Sequence, residues 1–321
     1  MKIANFFVKC FRRMKQFGFS IVFWDILVSI CFRFKIFYIE VGLKRNSAIM
    51  AWLSKNYDHL VLKYKNMYNG DTLEKAVAIP KCIWVCWWDG IDAMPPIVKA
   101  CYNSVLKHAD GFKVILITKE NLNDFLSVPD YIIKKFNKKM ISITHFTDII
   151  RMSLLRNHGG FWVDATVLIT GDIDFDNTSF FTVCGHSVLG GFGEENISRR
   201  RWTGNCIAGS SGIILFDFMY EFFCDYWSSH KELIHYFLID YAIAFAYNSI
   251  PEIKKLIDNV SPNNTKYMAL SRHLQNEYTS QNFNEVTENT SFHKLTWKKN
   301  YPMVTVENKV TFYGYIIQQN C

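Results

Sequence analysis

The sequence lacks an apolar run long enough to cross a membrane as a single helix. Its N-terminal apolar stretch, residues 19–32, has 14 residues and contains Asp25, whereas a spanning helix needs about 20. No cleavage site of small residues follows this stretch, so a secretory signal is not indicated. We expect either an amphipathic segment in a membrane interface, or helices that pack on the folded body with their basic residues as a solvated rim.

The chain also lacks the paired Cys and His ligands of a structural zinc site. Its 9 cysteines are odd in number, and no matching pair at zinc spacing follows Cys82 and Cys86. We therefore expect small, reduced core residues of a cytosolic protein. The sequence has no internal repeat or low-complexity segment, and its 321 residues are enough for one or two domains with a large core.

Acidic residues are scarce at the N-terminal end. Residues 1–55 contain ten Lys or Arg but only Asp25 and Glu40, a local charge of +8. Because the whole chain carries +7, the remaining residues are close to neutral. A nucleic-acid-binding protein would carry its basic residues on the folded body, so we expect no nucleic-acid partner. The asymmetry predicts a patch for an anionic membrane surface, in a cytoplasmic protein peripheral to the inner face of the cell membrane.

Aromatic residues make up 16% of the chain, a content that favours a globular protein handling flat or sugar-like ligands. The pattern predicts an apolar strand at 83–88, a helix at 95–108 and a second strand at 113–118. This alternation predicts an α/β fold with a parallel or mixed central sheet flanked by helices. We expect a basic helical extension at 1–70 and the main domain at 71–321.

Other segments complete this outline. A helix is predicted at 46–67 and a turn at 69–71. Residues 189–206 are rich in Gly and include three consecutive Arg, which predicts either a mobile basic loop that closes over an anionic ligand or a solvated connection. The chain is expected to be helical over 216–257 and to end in a strand-like run at 304–317.

The most informative stretch is residues 145–168. Apolar residues recur at helical spacing from Thr147, a plausible N-cap, to His158, and Gly159 follows where a left-handed cap belongs. Residues 161–170 then have the aromatic and β-branched composition of a strand. A helix and a strand are therefore expected to meet at one tight turn.

Two polar faces flank this turn. One side of the helix carries Asp148, Arg151 and His158, and one face of the strand carries Trp162, Asp164 and Thr166. Because a carboxylate without a partner is costly to bury, an Asp near a strand end indicates a metal or phosphate site. A surface pair of Asp148 with Arg151, and an Asp164 that only forms a turn, explain the same pattern equally well.

These residues offer the parts that a transferase acting on a nucleotide diphosphate sugar needs. Trp84 can stack on a base, Asp148 and Arg151 can hold ribose and phosphate, and Asp164 can bind a metal. Lys294 or Lys298, near the C-terminal end of the chain, can reach the diphosphate. The attraction between such a cation and the diphosphate becomes stronger in the transition state, as negative charge develops on the leaving group. A metal-dependent hydrolase that uses Asp164 with His145 or His158 is a second reading.

The chain resembles the capsular polysaccharide synthesis family of bacterial glycosyltransferases, which are related to the DXD-motif sugar transferases with a GT-A fold. The resemblance covers most of the chain. Its motifs are IPKCIW with the following WWDG, FTDIIRMSLLRNHGGFWVDATVL, YW with HYFLIDY, and HKLTWK. It implies a GT-A-like nucleotide-sugar-binding fold and a hexosyltransferase-type enzyme that transfers a sugar, with retained anomeric configuration, to a growing capsular or cell-surface polysaccharide.

The resemblance also implies a cofactor and site residues. The residues implied for binding the donor, with a UDP-sugar favoured, are Trp84, Asp148, Arg151, Lys294, Trp297 and Lys298. Those implied for catalysis are Asp148, Arg151, Asp164 and Asp240. Asp164 and Thr166 would hold Mn²⁺ or Mg²⁺, and since a hydroxyl is a weaker ligand than a carboxylate, Asp164, water and the diphosphate would hold it mainly. Thr166 stands in place of the motif's second acid. The alternative function is therefore that of a catalytically idle protein that binds a sugar or nucleotide within a polysaccharide assembly complex.

Overall fold

The structure is a computed structural model that describes residues 2–68, 77–176, 178–186 and 196–321, with side chains described from Phe6 onward. The predicted turn at 69–71 and the first part of the predicted basic loop, 189–195, lie outside the described residues. The helices are α1 Lys2–Phe17, α2 Phe19–Phe34, α3 Tyr38–Met67, α4 Pro96–Lys107, α5 Leu122–Phe125, α6 Asp130–Asn137, α7 Ile143–His158, α8 Ile214–Ser229, α9 Leu238–Ser249, α10 Pro251–Asp258, α11 Ser280–Thr287 and α12 Phe312–Asn320.

A five-stranded mixed sheet lies at the centre, in the order β2-β1-β3-β6-β5. The strands are β1 Cys82–Cys86, β2 Lys113–Ile117, β3 Gly160–Val163, β4 Val167–Ile169, β5 Phe180–Thr182, β6 Cys206–Gly209 and β7 Phe292–Lys294. β1 runs parallel to both β2 and β3, and β6 runs antiparallel to β3 and β5. The expected mixed sheet flanked by helices is confirmed.

The two faces of this sheet are covered by separate apolar layers. In β1 and β3, Trp84 and Trp162 point into a layer formed with α3, α7, α8 and α9, whereas Ile83 and Phe161 point into a layer formed with α4 and α12. This alternation is the two-residue period of a strand. Because both faces are buried, these strands are apolar throughout, as the sequence indicated.

The helix in the central stretch begins earlier than predicted. The N-cap of α7 is Ser142, whose Oγ accepts a hydrogen bond from the amide of His145. Thr147, the predicted cap, lies inside the helix and donates its hydroxyl to the carbonyl oxygen of Ile143 at 2.8 Å. The end is as predicted: Gly159 has φ +64°, and its amide donates to the carbonyl oxygen of Leu155.

The predicted strand at 161–170 is in fact two strands in two sheets. The amide of Val167 donates to the carbonyl oxygen of Asp164 at 2.9 Å, and this turn ends β3. β4 then leaves the central sheet and pairs antiparallel with β7, with Val167 opposite Lys294. Composition does not reveal this break because both halves are apolar and β-branched.

The predicted strand-like run at 304–317 was also wrong. Only two isolated bridges are extended there, between Val304 and Val310 and between Glu277 and Thr311, and α12 begins after Thr311. The hydroxyl of Thr311 caps this helix by accepting from the amide of Gly314 at 3.0 Å. Tyr and Ile residues suit either element, so local composition could not separate the two.

The N-terminal helices are joined to the body through α3, which is longer than the predicted helix at 46–67. Ile49, Leu53 and Tyr57 of α3 are buried in the same layer as α8 and α9, and the hydroxyl of Tyr241 donates to Asn46 Oδ1 at 2.5 Å. Within the described part of the chain, no helix is both long and apolar enough to cross a membrane. The proposed boundary near residue 70 stays a prediction, although α3 shares a core with the residues beyond it.

Candidate active site

Asp164 lies at the centre of a cluster of charged side chains at the carboxyl end of β3. Its amide donates to the carbonyl oxygen of Asn205 at 2.9 Å, which ties the end of β3 to the loop before β6. Its Oδ1 accepts from Arg151 Nη2 at 2.9 Å and from Trp162 Nε1 at 2.9 Å. Its Oδ2 accepts from Lys294 Nζ at 2.7 Å.

The surroundings of Asp164 keep it ionised. Burial alone would raise the pKa of this carboxyl, but Lys294, Arg151 and the hydrogen bonds from Lys294 and Trp162 outweigh burial and lower the pKa. The site therefore holds a fixed negative charge between two cations.

Asp148 and Arg151 form a buried ion pair, not the surface pair that the sequence also allowed. Arg151 Nη1 lies 3.3 Å from Asp148 Oδ1, with side chains only 6% and 7% exposed. The guanidinium carbon lies 5.0 Å from the centre of the Trp162 ring. Burial, opposed by Arg151 and aided by the charges of Asp164 and Asp240, raises the pKa of Asp148 to about 7. Arg151 Nε is buried and has no hydrogen-bond partner among the described residues.

Asp240 reaches this cluster from the first turn of α9. Its Oδ1 accepts from Trp202 Nε1 at 3.0 Å. Burial raises its pKa to about 6, against the opposing effects of the Trp202 hydrogen bond and the charge of Arg151. The structure thus brings together the four residues that the sequence suggested for catalysis.

Lys294 lies between the two residues expected to bind a metal. Its Nζ donates to Asp164 Oδ2 at 2.7 Å and to Thr166 Oγ1 at 2.8 Å. The backbone holds it there, because the amide of Lys294 donates to the carbonyl oxygen of Tyr267 and the amide of Leu295 donates to that of Thr166, both at 2.8 Å.

This arrangement does not fit a divalent ion. Mg²⁺ requires oxygen ligands at about 2.0–2.1 Å in near-octahedral geometry, whereas the candidate oxygens of Asp164 and Thr166 already accept from an ammonium group. Across the described ranges, no group of three or more His, Cys, Asp or Glu side chains is placed to hold a metal ion. The two side-chain oxygens expected to hold a metal contact Lys294 instead, and use of a metal stays a prediction.

A basic cleft of about 670 Å³ opens next to Lys294. Its cations are Arg272, Lys294 and Lys299, and none of the described residues that line it is acidic. The other lining residues are Met268, Ser271, Gln275, Leu295, Thr296, Asn300 and Tyr301. The sequence reasoning missed Arg272 and Lys299; the signal for Lys299 was its place beside the KLTWK motif, and Arg272 had none.

Residues 34–316 match the profile of the capsular polysaccharide synthesis protein family. The chain belongs to this family. No curated protein matches the chain. One similar solved structure is the apo form of the WbbM bifunctional glycosyltransferase, at 12% identity and a TM-score of 0.37, covering 78% of this chain and 50% of that one. The chain thus spans about half the length of that protein.

Trp84, part of the first family motif, is buried beside the charged cluster, with its backbone paired to that of Trp162. It is 3% exposed, and its Nε1 donates to the carbonyl oxygen of Gly159 at 2.8 Å, at the start of β3. Its ring packs on Phe125 and His158. Because these neighbours bury its ring, Trp84 is a core residue without an open face for a base, which corrects the expectation that it stacks on one.

Two other predicted donor residues flank the cleft. Trp297 is 46% exposed, with its ring centre 5.8 Å from that of Trp87 just beyond β1. Lys298 is exposed, and the cleft is lined by Thr296 and Lys299, which precede and follow this pair in the chain. Trp297 is therefore the better placed of the two predicted tryptophans to meet a ligand.

The histidines required by the hydrolase reading are engaged elsewhere. His145 Nε2 donates to the carbonyl oxygen of Tyr236 at 3.0 Å, and its Nδ1 lies 2.6 Å from Ser142 Oγ. His158 Nε2 donates to the carbonyl oxygen of Phe125. Neither contact involves Asp164, so the structure does not assemble the ligand set of a metal-dependent hydrolase.

The described end of the predicted basic loop packs onto the body. The guanidinium carbon of Arg201 lies 4.1 Å from the centre of the Tyr247 ring, and its Nε donates to the carbonyl oxygen of Ser198. Arg201 is thus held by its neighbours, and the loop's predicted closure over a ligand stays a prediction.

Proposed function

We propose that this chain is a glycosyltransferase that moves a sugar from a nucleotide diphosphate donor onto a growing capsular or cell-surface polysaccharide. The observation that carries the proposal is the cluster of Asp148, Arg151, Asp164 and Lys294 beside a basic cleft, in a member of the capsular polysaccharide synthesis family. A volume of about 670 Å³ lies within the range of small-molecule sites.

The cleft suits the diphosphate of such a donor. Arg272, Lys294 and Lys299 supply positive charge, and Arg can bind a phosphate through two nitrogen atoms. Negative charge grows on the diphosphate as the sugar leaves, so these cations stabilise the transition state more than the bound donor. Trp297 offers a partly open ring beside the cleft for the base, with UDP as the favoured nucleotide.

The acidic side of the cluster suits the sugar. Asp164 is an ionised hydrogen-bond acceptor, and the unpartnered Nε of Arg151 is a donor that a sugar hydroxyl can satisfy. Asp240 is proposed to face the acceptor glycan, where its raised pKa lets it exchange protons near neutral pH. Retention of anomeric configuration is proposed from the resemblance to related transferases.

The test is the release of nucleoside diphosphate from a panel of nucleotide sugars by the purified chain. Asp164→Asn removes the fixed charge and is expected to lower kcat/KM by at least about 100-fold. Asp172→Asn is the matched control, since the side chain of Asp172 is 98% exposed. Turnover that survives in Asp164→Asn would contradict the site. Binding without any turnover would instead favour the idle partner.

We further propose that α1 and α2 dock this enzyme on an anionic membrane surface. Large apolar side chains stand exposed there, among them Phe7 at 65%, Phe19 at 70% and Phe34 at 65%. Lys9, Arg12, Lys15, Arg33 and Lys35 are interleaved with them. Soluble domains rarely expose so much contiguous apolar surface, and the basic residues complement anionic headgroups.

A further inference from the structure

We propose that Lys294 supplies the positive charge at Asp164 and Thr166 that the family's motif would otherwise place on a divalent ion, so that donor binding needs no metal. This inference rests on the proposed function and concerns which group supplies positive charge to the donor diphosphate. Its basis is the disagreement between the expected metal site and the contacts of Lys294.

The ammonium group of Lys294 contacts both side-chain oxygens that were expected to hold the ion. It lies 2.7 Å from Asp164 Oδ2 and 2.8 Å from Thr166 Oγ1, which are the motif's two side-chain oxygens. A divalent ion bound to the same oxygens would lie beside this cation, and the repulsion would oppose its binding. Thr166 is neutral, so the pair offers one negative charge, which a single ammonium group balances.

The position is imposed by the fold. Lys294 ends β7, which pairs with β4 directly after the turn that holds Asp164 and Thr166. Two backbone hydrogen bonds fix residues 294 and 295 against Tyr267 and Thr166. The ammonium group thus rests on a strand pair, and its side chain is only 20% exposed.

Lys294 also contacts the space where an anion would bind. An ammonium group has three N–H donors, and Asp164 and Thr166 accept two of them. Lys294 lines the basic cleft together with Arg272 and Lys299. One donor therefore remains for a phosphate oxygen, and Arg272 and Lys299 supply the further positive charge that a diphosphate would meet in the cleft.

The experiment measures binding of UDP by calorimetry, in buffer with EDTA and in buffer with saturating Mn²⁺. The wild type is expected to bind UDP equally in both, within about threefold, and to bind no Mn²⁺ on its own. UDP affinity that rises by more than about tenfold with Mn²⁺, or tight binding of Mn²⁺ alone, would overturn the inference. Failure to bind UDP in either buffer would overturn it too.

A variant series locates the effect. Lys294→Met keeps the length of the side chain without its charge, and is expected to weaken UDP binding in EDTA by about tenfold or more. Because Asp164 Oδ2 and Thr166 Oγ1 then lose their contact with the ammonium group, Mn²⁺ is expected to restore part of the affinity. Lys134→Met is the matched control, because Lys134 is exposed on α6 and does not line the cleft, and it should change little. Equal losses in both variants would contradict a special role for Lys294.

Turnover separates this inference from the proposed function. Sugar transfer that requires Mn²⁺ would contradict the inference and leave the transferase intact. Failure of every nucleotide sugar to react, in EDTA and in Mn²⁺, would contradict the proposed function itself. The wild-type measurements decide both points even if Lys294→Met fails to fold.

Discussion

At the scale of single residues, the site is defined by the contacts among two carboxyls and two cations, which are Asp148, Asp164, Arg151 and Lys294. Arg151 contacts both Asp148 and Asp164, and the two carboxyls respond in opposite directions. Two cations lower the pKa of Asp164, whereas burial raises that of Asp148 to about 7. A buried pair of acids with separated pKa values is typical of sites that handle both charge and protons.

The raised pKa of Asp148 predicts a pH-dependent stability. The folded state holds a proton on Asp148 up to about pH 7, whereas the unfolded chain releases it near pH 4. As the pH is raised from about 4 to about 7, the unfolding free energy of the wild type is therefore expected to fall by roughly 2–4 kcal/mol relative to that of Asp148→Asn. Below about pH 4 this difference stops changing, because both states are protonated.

The measurement is urea unfolding of both proteins across that pH range. The diagnostic quantity is the slope of the difference, because removing the partner of Arg151 shifts the whole curve by a constant amount. Asp172→Asn, at an exposed position, is expected to follow the wild type. Parallel curves for the wild type and Asp148→Asn would show that Asp148 does not titrate in this range.

At the scale of elements, the junction of α7 with β3 positions the cluster. Gly159 has φ +64°, and a Cβ there would lie 2.7 Å from the amide nitrogen of Ser211 and 2.8 Å from the carbonyl oxygen of Gly209. The close approach lets α7 lie flat against the sheet, which sets Arg151 over Trp162. The existence of the helix, its glycine stop and the start of the strand that follows were readable from local pattern, because each depends on neighbouring residues. The helix start at Ser142 and the break after β3 were not.

This junction predicts a large effect of a small side chain. Gly159→Ala combines an unfavourable backbone conformation with two clashes against backbone atoms, so we expect a loss of roughly 2–4 kcal/mol in unfolding free energy. Gly212→Ala is the matched control: its φ is +81°, but nothing lies within 4 Å of the added Cβ. Its loss is expected to be about 1 kcal/mol. Similar losses in chemical denaturation would contradict the close contact.

At the scale of the whole molecule, the excess of positive charge lies in the N-terminal helices, whereas the residues that form the candidate active site belong to the rest of the chain. The N-terminal helices carry the exposed apolar and basic residues, while α3 anchors them to the core. Arg13 shows which side of α1 faces the body, because its Nη2 donates to the carbonyl oxygen of Ile234, between α8 and α9, at 2.5 Å. One face of this segment packs on the body, as one of the two sequence readings expected, and the other face exposes apolar side chains. The membrane-interface reading stays a prediction.

The free face predicts binding to vesicles that contain anionic lipid. Binding is expected to weaken as salt is raised, because charges at a surface are screened over about 8 Å at physiological ionic strength. Replacing Phe7 and Phe11 by Ser should lower the binding by about tenfold or more. Leu62→Ser is the control, since Leu62 is 53% exposed on α3. Co-sedimentation that does not respond to salt or to the Phe changes, or a lipid-free dimer that buries this face, would contradict the proposal.

The sequence by itself determined the local elements and most of the residue types in the site. Asp148, Arg151 and Asp164 lie within one helix and one strand end, so periodicity and a glycine stop were enough to group them. Only the tertiary structure decided which faces are covered. Packing of α7 and Phe125 on β1 buries Trp84, and the pairing of β4 with β7 brings Lys294 to Asp164 across 130 residues. Such contacts depend on where whole elements pack, and local patterns carry no record of that.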